Sequence, residues 1–236
     1  MEKMRESVVQ LQAGDGSQMA AFTAVPVGTP KAGMVVFQEA FGVNRHIQNI
    51  VRRLAGEGYA AIAPELFHRT APAGSEWAYD DLAATTPHRE ALTTETLVAD
   101  ARAAYDWLQR EGLSKRARVG CVGFCMGGRA SFEANARLPL SAAVSFYGTR
   151  ILTQAAHLAV DQKGPLLLIW GGKDKTTPPE KVKELTDALR AAGKDFINAE
   201  FSEAGHGFNC DERADYHPAS AATAWAMTLA FLQKHL

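Results

Sequence analysis

The sequence predicts an α/β fold in which helices cover both faces of a mostly parallel, twisted sheet of about eight strands. Three observations lead to this prediction. Short apolar runs alternate with segments of helical periodicity, several of these runs are apolar at nearly every position, and glycines mark the points where they end. A chain of 236 residues, of which 47% are hydrophobic, can form a substantial core, and we expect residues 1–236 to be a single domain.

The strands differ in how we expect them to be buried. Residues 8–12 and 19–25 alternate loosely between apolar and polar side chains around the turn sequence Asp15-Gly16, which predicts a hairpin at the sheet edge. Most of the remaining strands are largely apolar, as is typical of strands covered on both faces. They are predicted at residues 33–37, 59–63, 119–123, 142–146, 166–170 and 196–201.

Helices are predicted between these strands, where apolar residues recur three and four positions apart. Asn44 can cap the first helix, and residues 94–110 form one apolar helical face. The stretch 177–180 reads Thr-Pro-Pro-Glu, which predicts a capping box with proline at the first helical position. Residues 65–93 are less regular, and we expect this segment, called the excursion, to lie above the sheet, where pocket walls commonly arise.

Composition and charge exclude several classes of protein. A net charge of −1 gives no electrostatic basis for binding nucleic acid or an anionic membrane. No stretch is long and apolar enough to span a bilayer, and the charged start at residues 1–6 lacks the apolar core of a signal peptide. Three scattered cysteines predict no disulfide framework and favour a cytoplasmic protein, and no cysteine or histidine cluster predicts a metal site. The sequence leaves the oligomeric state open, and a monomer is compatible with it.

The most informative stretch is residues 118–129, an apolar strand that turns on glycines into a helix. Cys125 stands at the corner between Gly123 and Gly127, which is the nucleophile-elbow pattern with sulfur in place of a hydroxyl. Glycine suits the flanking positions because a strand that reverses into a helix brings backbone atoms close together. The alternative is an ordinary glycine-rich turn in which Cys125 is a small buried apolar residue.

Cys125, Asp174 and His206 each follow a predicted strand, in the nucleophile–acid–base order of α/β-hydrolases. Alone, Asp174 or His206 could be an ordinary turn residue, but parallel strands bring such positions together at the carboxyl edge of the sheet. We therefore interpret them as a catalytic triad. His206 takes the thiol proton or holds it as imidazolium, and Asp174 orients the imidazole. The backbone N–H groups of Met126 and Ala40 are predicted to form the oxyanion hole.

Six short sequence motifs occur in collinear order over nearly the whole chain. They are Gln-Glu-Ala-Phe-Gly-Val-Asn at 38–44, Gly-Tyr-Ala-Ala at 58–61, Gly-Phe-Cys-Met-Gly-Gly at 123–128, Tyr-Gly at 147–148, Gly-Gly-Lys-Asp at 171–174 and Ala-Gly-His-Gly-Phe at 204–208. With these motifs the chain resembles the dienelactone hydrolase (carboxymethylenebutenolidase) family, a cysteine-using branch of the α/β-hydrolases. The resemblance implies the α/β-hydrolase fold, the triad Cys125, His206 and Asp174, a Glu39 side chain that reaches the cysteine, and no cofactor.

Glu39 and the sulfur of Cys125 both bear on the expected chemistry. A carboxylate beside the thiol disfavours the thiolate by like charge, whereas the helix end and His206 favour it, so the resting thiol could be protected from oxidation. The resemblance implies that substrate binding moves Glu39 and lets it accept the thiol proton. Because a thiolate leaves a tetrahedral intermediate more readily than an alkoxide, attack on a simple alkyl ester should mostly revert. An enol ester or lactone releases a stabilised enolate, and the sequence therefore predicts hydrolysis of activated, dienelactone-like esters or lactones through a thioester.

The substrate pocket departs from the family pattern. The resemblance implies two arginines that bind a substrate carboxylate, but Cys210 stands at one of these positions. The candidate pocket residues are Phe41 and Tyr147 as walls and Arg69, Arg89 and Arg213 as cations. Cys121 is predicted to pack within its strand, and Cys210 to lie in an exposed loop.

The expected partner is a small molecule, and two other functions stay open. One is a general carboxylesterase or thioesterase. The other is a catalytically inactive protein of the α/β-hydrolase fold that binds a small ligand. An intact triad argues against the inactive protein, because a binding protein has no need of a nucleophile, a base and an acid together.

Overall fold

A computed structural model describes residues 4–110 and 118–236, so the first three residues of the charged start lie outside the described residues. Within these ranges there are eight strands: β1 Met4–Gln12, β2 Gln18–Pro26, β3 Gly33–Phe37, β4 Ala60–Pro64, β5 Val119–Phe124, β6 Ala142–Phe146, β7 Leu166–Gly171 and β8 Phe196–Phe201. They form one sheet in the order β1-β2-β4-β3-β5-β6-β7-β8. β2 is antiparallel to β1 and β4, whereas β4 runs parallel to β3, and β7 runs parallel to β6 and β8. The predicted mostly parallel sheet of about eight strands is confirmed.

Six α-helices lie in the described ranges: α1 Arg45–Gly56, α2 Thr86–Glu90, α3 Thr94–Arg110, α4 Met126–Arg137, α5 Pro179–Ala191 and α6 Pro218–His235. A π-helical turn at Ile151–Ala155 and a 3-10 helix at Ala156–Asp161 follow β6, and the sequence predicted neither of them. None of the described helices is long and apolar enough to cross a membrane. Contacts divide the chain into two compact units, Met1–Cys121 and Val122–Leu236, with the boundary inside β5. The single domain stays a prediction.

The first unit contains the edge hairpin and two buried parallel strands. β3 and β4 are buried at every position because their side chains are apolar on both faces. β1 exposes most of its side chains, as expected for a strand at the sheet edge. Asn44 caps α1 as predicted, since its side-chain oxygen accepts a hydrogen bond from the N–H of Ile47 at 3.3 Å.

The second unit is built on β6, β7 and β8. β6 and β7 are buried at every position, whereas β8 is partly exposed at the other edge of the sheet. Trp170 is among the largest side chains of this core, and its indole N–H donates to the side-chain oxygen of Asn198 at 2.8 Å. The carboxyl ends of these strands carry the loops in which Asp174 and His206 lie.

The start of α5 differs from the predicted capping box. The helix begins at Pro179, which confirms proline at the first helical position, but the cap residue is Pro178 and no side chain caps it. Thr177 is buried, and its hydroxyl donates to the carbonyl of Asp174 at 3.4 Å. The prediction of Thr177 as the cap is therefore wrong, because its hydroxyl closes the turn after β7 instead.

Candidate active site

Cys125 occupies the corner between β5 and α4. Its backbone adopts φ +56° and ψ −118°, a strained conformation for a residue with a side chain. Its N–H donates to the carbonyl of Phe146 at 3.0 Å, and its own carbonyl accepts from the N–H groups of Gly128 and Thr149. Met126 begins α4, so its N–H is one of the donors that a helix leaves without an intrahelical acceptor. The corner is thus braced against the end of β6 and holds the thiol in a defined position.

Close backbone contacts require glycine beside the cysteine. A Cβ atom at Gly123 would overlap the carbonyl of Gly127 in the first turn of α4. A Cβ atom at Gly128 would lie 2.7 Å from both the Cα of Gly148 and the hydroxyl of Ser145. Any larger residue would push α4 away from β5 and β6. The glycine pattern in the sequence therefore corresponds to a real close approach.

Asp174 lies in the turn after β7, where protein donors bind both of its oxygens. Oδ1 accepts from the N–H of Thr176 at 2.8 Å and from its hydroxyl at 2.7 Å. Oδ2 lies 2.7 Å from Nδ1 of His206, and the carboxylate is fully buried. Because Asp174 can only accept, it holds the proton of His206 on Nδ1 and leaves Nε2 for the group on the other side of the ring.

Two glycines let the Asp174 and His206 loops approach each other. A Cβ atom at Gly171 would lie 2.6 Å from the carbonyl of Gly205, and one at Gly172 would lie 2.7 Å from the Cα of Ser202. The loop after β8 therefore packs directly on the end of β7. In the motif Gly-Gly-Lys-Asp at 171–174, the two glycines leave space for the loop after β8, and Asp174 is the acid that binds His206.

The imidazole of His206 interacts with Asp174 and with the sulfur of Cys125. Burial opposes a charge on the ring, but hydrogen bonds to Asp174 and Cys125, with the negative charge of both groups, raise the pKa of His206 to about 10. Burial also opposes ionisation of Asp174, yet the hydrogen bond and charge of His206 lower the pKa of that carboxyl below its ordinary value. The structure thus pairs His206 with Asp174, and the action of Cys125, His206 and Asp174 as one catalytic triad stays a prediction.

An open cleft of about 470 Å³ lies beside the Asp174–His206 pair in the second unit. Its rim carries side chains of both charges and two rings: Lys173, Lys175, Glu203, Asp215, Tyr216 and His217. Lys173 and Glu203 form an exposed ion pair at 2.7 Å across the loops that hold the acid and the base. The cleft opens His206 to solvent, and Cys125 is not among the residues that line it.

The two aromatic candidates are deeply packed. Tyr147 is fully buried, and its ring meets the imidazole of His206 edge-on with centroids 5.1 Å apart. Phe41 is 2% exposed and meets Tyr79 edge-on at 4.8 Å in the first unit. Tyr147 therefore bears on the site through the orientation of His206. That either residue lines a substrate pocket stays a prediction.

Glu39 and Ala40 follow β3 in the first unit, and both are fully buried. The excursion braces their loop from one side. Gly42, with φ +86°, lies so close to the carbonyl of Ser75 that a Cβ atom would overlap it. The excursion therefore packs against this loop, and its position above the sheet as a pocket wall stays a prediction. The roles of Glu39 as proton acceptor and of Ala40 as oxyanion donor stay predictions.

Protein groups already bind Arg89 and Arg213, two of the three arginines named as pocket candidates. Arg89 lies in α2 and donates to the hydroxyl of Thr85 at 2.8 Å. The guanidinium of Arg213 lies over Gly207, where a Cβ atom would come within 2.5 Å of its Cζ, and it is 3.7 Å from the carboxylate of Asp215. Arg213 is therefore next to the histidine loop, whereas Arg89 is fixed to its own short helix.

Arg69 belongs to an ionic cluster, centred on the buried carboxylate of Asp100, that ties the excursion to α3. It donates two hydrogen bonds to Asp100, at 2.8 and 2.9 Å, and one to Asp15 at 2.7 Å. Nε2 of His68 lies 3.2 Å from the same Asp100 carboxylate, which is fully buried. Burial disfavours the guanidinium charge, but these carboxylates raise the pKa of Arg69 above its usual value. Arg69 thus has a structural role in this cluster.

The remaining cysteines are both fully buried. For Cys121 in β5 this agrees with the predicted packing role. For Cys210 it does not, and the predicted exposed loop is wrong. The N–H of Cys210 donates to the carbonyl of Gly207 at 3.0 Å, and its own carbonyl accepts from the N–H of Arg213 at 3.2 Å. These consecutive turns fold the loop inward and bury the thiol.

Two residues near the triad were not predicted from the sequence. Thr176 binds Asp174, and its signal is a threonine two positions after an aspartate, a common turn arrangement. Thr149 follows β6, and its hydroxyl lies 4.0 Å from the sulfur of Cys125. Its signal is its place just beyond a strand that neighbours the elbow strand in the sheet.

Comparison with known proteins places this architecture in a family. The model of the dienelactone hydrolase family matches residues 19–236. The chain belongs to the dienelactone hydrolase family. Curated relatives from Yersinia pestis and Escherichia coli K12, each described as "Putative carboxymethylenebutenolidase", are 36% identical over 93% of this chain and 85% and 84% of theirs. The solved structure of a "Putative Dienelactone Hydrolase" from Klebsiella pneumoniae has a TM-score of 0.87 at 32% identity and covers 98% of both chains.

Membership in the dienelactone hydrolase family confirms the predicted resemblance and the predicted α/β-hydrolase fold. It also makes the chain a hydrolase of that family. In this dienelactone hydrolase family member, Cys125, Asp174 and His206 come from three loops of the second unit.

Proposed function

We propose that this protein hydrolyses activated esters or lactones through a thioester on Cys125. The observation that carries the proposal is the pair of Asp174 and His206, in which the acid lies 2.7 Å from the base, together with the place of Cys125 at the corner between β5 and α4. A nucleophile, a base and an orienting acid in series are the groups that acyl transfer to sulfur requires. A protein that only binds a ligand has no need of this series.

The first half of the reaction forms the thioester. The thiolate of Cys125 attacks the carbonyl carbon, and the carbonyl electron pair moves onto oxygen, where the N–H groups of Met126 and Ala40 stabilise it. Collapse of this intermediate breaks the ester C–O bond and releases the leaving oxygen. His206 supplies a proton where the leaving group needs one.

Glu39 regulates the resting thiol in this proposal. Its side chain is fully buried, so like-charge repulsion between its carboxylate and a thiolate acts with less screening than at the surface. The carboxylate disfavours the thiolate until substrate binding displaces it and it accepts the thiol proton. Such a device would limit oxidation of Cys125 between turnovers.

The substrate class follows from the leaving group. Sulfur is expelled in preference to an alkoxide, so productive acylation requires an enolate or a similarly stabilised leaving group. Carboxymethylenebutenolide, which names the relatives, is the first candidate. Cys210 and the internally bound Arg89 favour a second candidate, a carboxylesterase acting on activated esters that lack a substrate carboxylate.

Steady-state kinetics with three substrates test this proposal. We expect kcat/KM for cis-dienelactone and p-nitrophenyl acetate to exceed that for ethyl acetate by orders of magnitude. Cys125→Ala should abolish turnover, whereas the matched variant Cys121→Ala, altered at a buried cysteine of the adjoining strand, should retain it. Unchanged activity in Cys125→Ala, or preference for ethyl acetate, would contradict the proposal. Equal use of both activated substrates would favour the general esterase over the dienelactone-specific enzyme.

A further inference from the structure

We propose that Thr149 donates a hydrogen bond to the sulfur of Cys125 when this sulfur leaves as a thiolate, and that it is therefore a further catalytic residue. The inference rests on the proposed function, because it assigns a donor to the second half of that reaction. Its starting point is the distance of 4.0 Å between the Thr149 hydroxyl and the Cys125 sulfur. Hydrogen bonds of catalytic centres often shorten when the reacting group is in place.

The backbone of Thr149 is fixed to the same cysteine. Its N–H donates to the carbonyl of Cys125 at 3.1 Å, so main chain and side chain of Thr149 both face the elbow. Gly148 just before it and Gly128 in α4 approach so closely that a Cβ atom at Gly128 would lie 2.7 Å from the Cα of Gly148. The hydroxyl therefore belongs to a segment whose position relative to the sulfur is tightly determined.

The segment around Thr149 is also strained. Tyr147 and Arg150 adopt φ +37° and +63°, values that residues with side chains rarely adopt. A π-helical turn follows at residues 151–155, a feature found frequently at functional sites. Such backbone persists only where the surroundings fix it, and it clusters at catalytic centres.

Polar contacts also tie this strained segment to α4, although Gln154 itself is exposed. Gln154 in the π-helical turn accepts a hydrogen bond from Arg129 of α4 at 2.5 Å. The same guanidinium lies 2.6 Å from Glu133, and the arginine side chain is 8% exposed. The helix that follows the nucleophile thus also anchors the segment that carries Thr149.

The chemistry of deacylation gives the hydroxyl a role. The oxygen of a water molecule bonds to the thioester carbon while the proton of that water moves to His206. The C–S bond then breaks, its electron pair stays on sulfur, and the carboxylic acid leaves. His206 interacts with the water in this step and does not donate to the sulfur. The hydroxyl of Thr149 then supplies the hydrogen bond that stabilises the negative charge forming on the sulfur.

The same hydrogen bond affects the two halves of the reaction differently. During acylation the thiolate loses its charge, so a donor on sulfur stabilises the starting state and gives no acceleration. During deacylation the charge returns to sulfur, and the donor accelerates the step. Removal of the hydroxyl should therefore lower kcat and KM together and leave kcat/KM for an activated ester nearly unchanged.

Three variants test the inference. Thr149→Val keeps the shape and removes the hydroxyl, Thr149→Ser keeps the hydroxyl, and Thr153→Val removes an exposed hydroxyl from the neighbouring π-helical turn. Rapid mixing with p-nitrophenyl acetate should give a burst of nitrophenolate in Thr149→Val, followed by a steady rate about ten-fold below that of the native protein. Intact-mass spectrometry should find the acetyl group accumulating on Cys125, and Thr149→Ser and Thr153→Val should behave like the native protein.

Several results would overturn the inference. They are an unchanged deacylation rate in Thr149→Val, equal slowing of both half-reactions, or failure of Thr149→Ser to restore the rate of the native protein. If Thr149→Val does not fold, Thr149→Ala replaces it in the test, and the inference requires that the deacylation rate of Thr149→Ala is also lowered. If native protein acetylates Cys125 but Thr149→Val deacylates normally, only this inference fails. If Cys125→Ala still turns over, the proposed function itself fails.

Discussion

Nδ1 of His206 lies 2.7 Å from Oδ2 of Asp174, and Thr176 binds the other oxygen of the same carboxylate twice. Thr176 therefore fixes the Asp174 carboxylate in the position from which it orients the imidazole of His206. This arrangement keeps the proton of His206 on Nδ1 and leaves Nε2 on the other side of the ring, where we predict that it exchanges a proton with the thiol of Cys125 and with water.

Asp174→Asn should keep the fold and lose most of the activity. An asparagine of the same shape can present its amide to Nδ1 and favour the wrong tautomer, and we expect kcat/KM to fall by about 10³–10⁴-fold. Thr176→Val removes only one of the two Thr176 donors and should cost about ten-fold or less. Hydrolysis of p-nitrophenyl acetate measures both. An Asp174→Asn variant within ten-fold of the native protein would mean that Asp174 does not orient the base.

The charge of His206 should make stability depend on pH. Its pKa is raised from about 6.5 in an unfolded chain to about 10 in the fold, despite burial, by Asp174 and Cys125. The folded protein binds this proton more tightly, so the stabilisation is complete below pH about 6.5 and is lost as pH rises through about 10. Relative to His206→Gln, the free energy of unfolding should drop by on the order of 2–4 kcal/mol across this range. Urea unfolding at pH 6.5, 8.5 and 10 measures the difference, and a constant difference would refute the assignment.

Gly123→Ala should prevent correct folding of the elbow. Its Cβ atom would overlap the carbonyl of Gly127, and relief requires movement of α4 from β5, for which we expect a loss of about 3 kcal/mol or more. Gly56→Ala is the matched control, because no atom lies within 4 Å of its Cβ position at the end of α1. That variant should be up to about 1 kcal/mol more stable than the native protein. Similar melting temperatures for the two variants would contradict the close contact.

Arg69→Ala should destabilise the protein far more than removal of a surface arginine. It leaves the fully buried carboxylate of Asp100 without its bidentate partner, at an expected cost of about 2–4 kcal/mol. Arg137→Ala breaks an exposed pair with Asp161 and should cost less than about 1 kcal/mol. Chemical denaturation of both variants measures the contrast. Equal costs would show that the Arg69 cluster does not tie down the excursion.

Much of the fold is predictable where local signals and burial agree. The predicted strand at residues 33–37 coincides with β3, because a short apolar run fits a strand that is buried on both faces. The predicted helix at 94–110 coincides with α3, because its apolar residues recur at the spacing of one helical face. The elbow was predictable because Gly123 and Gly127 flank Cys125 in a pattern that few turns require. Asp174 and His206 were predictable as partners because both follow strands of one parallel sheet.

The predictions from sequence failed at positions where tertiary contacts determine the local structure. Cys210 was predicted to be exposed, but the turns between Gly207 and Arg213 carry it into the interior. Thr177 has the sequence of a helix cap, yet its hydroxyl closes the Asp174 turn. Thr149 was missed because its only signal is its place just beyond β6, and its proximity to the sulfur depends on the packing of β6 beside the elbow strand.

The most direct test of the account is the covalent intermediate itself. Native protein quenched within milliseconds of mixing with p-nitrophenyl acetate should gain the mass of one acetyl group, located by peptide mapping on Cys125 and released by hydroxylamine. Cys125→Ala should gain none and show no turnover. An acetyl group on another residue, or hydrolysis by Cys125→Ala at the native rate, would contradict a thioester mechanism at this elbow.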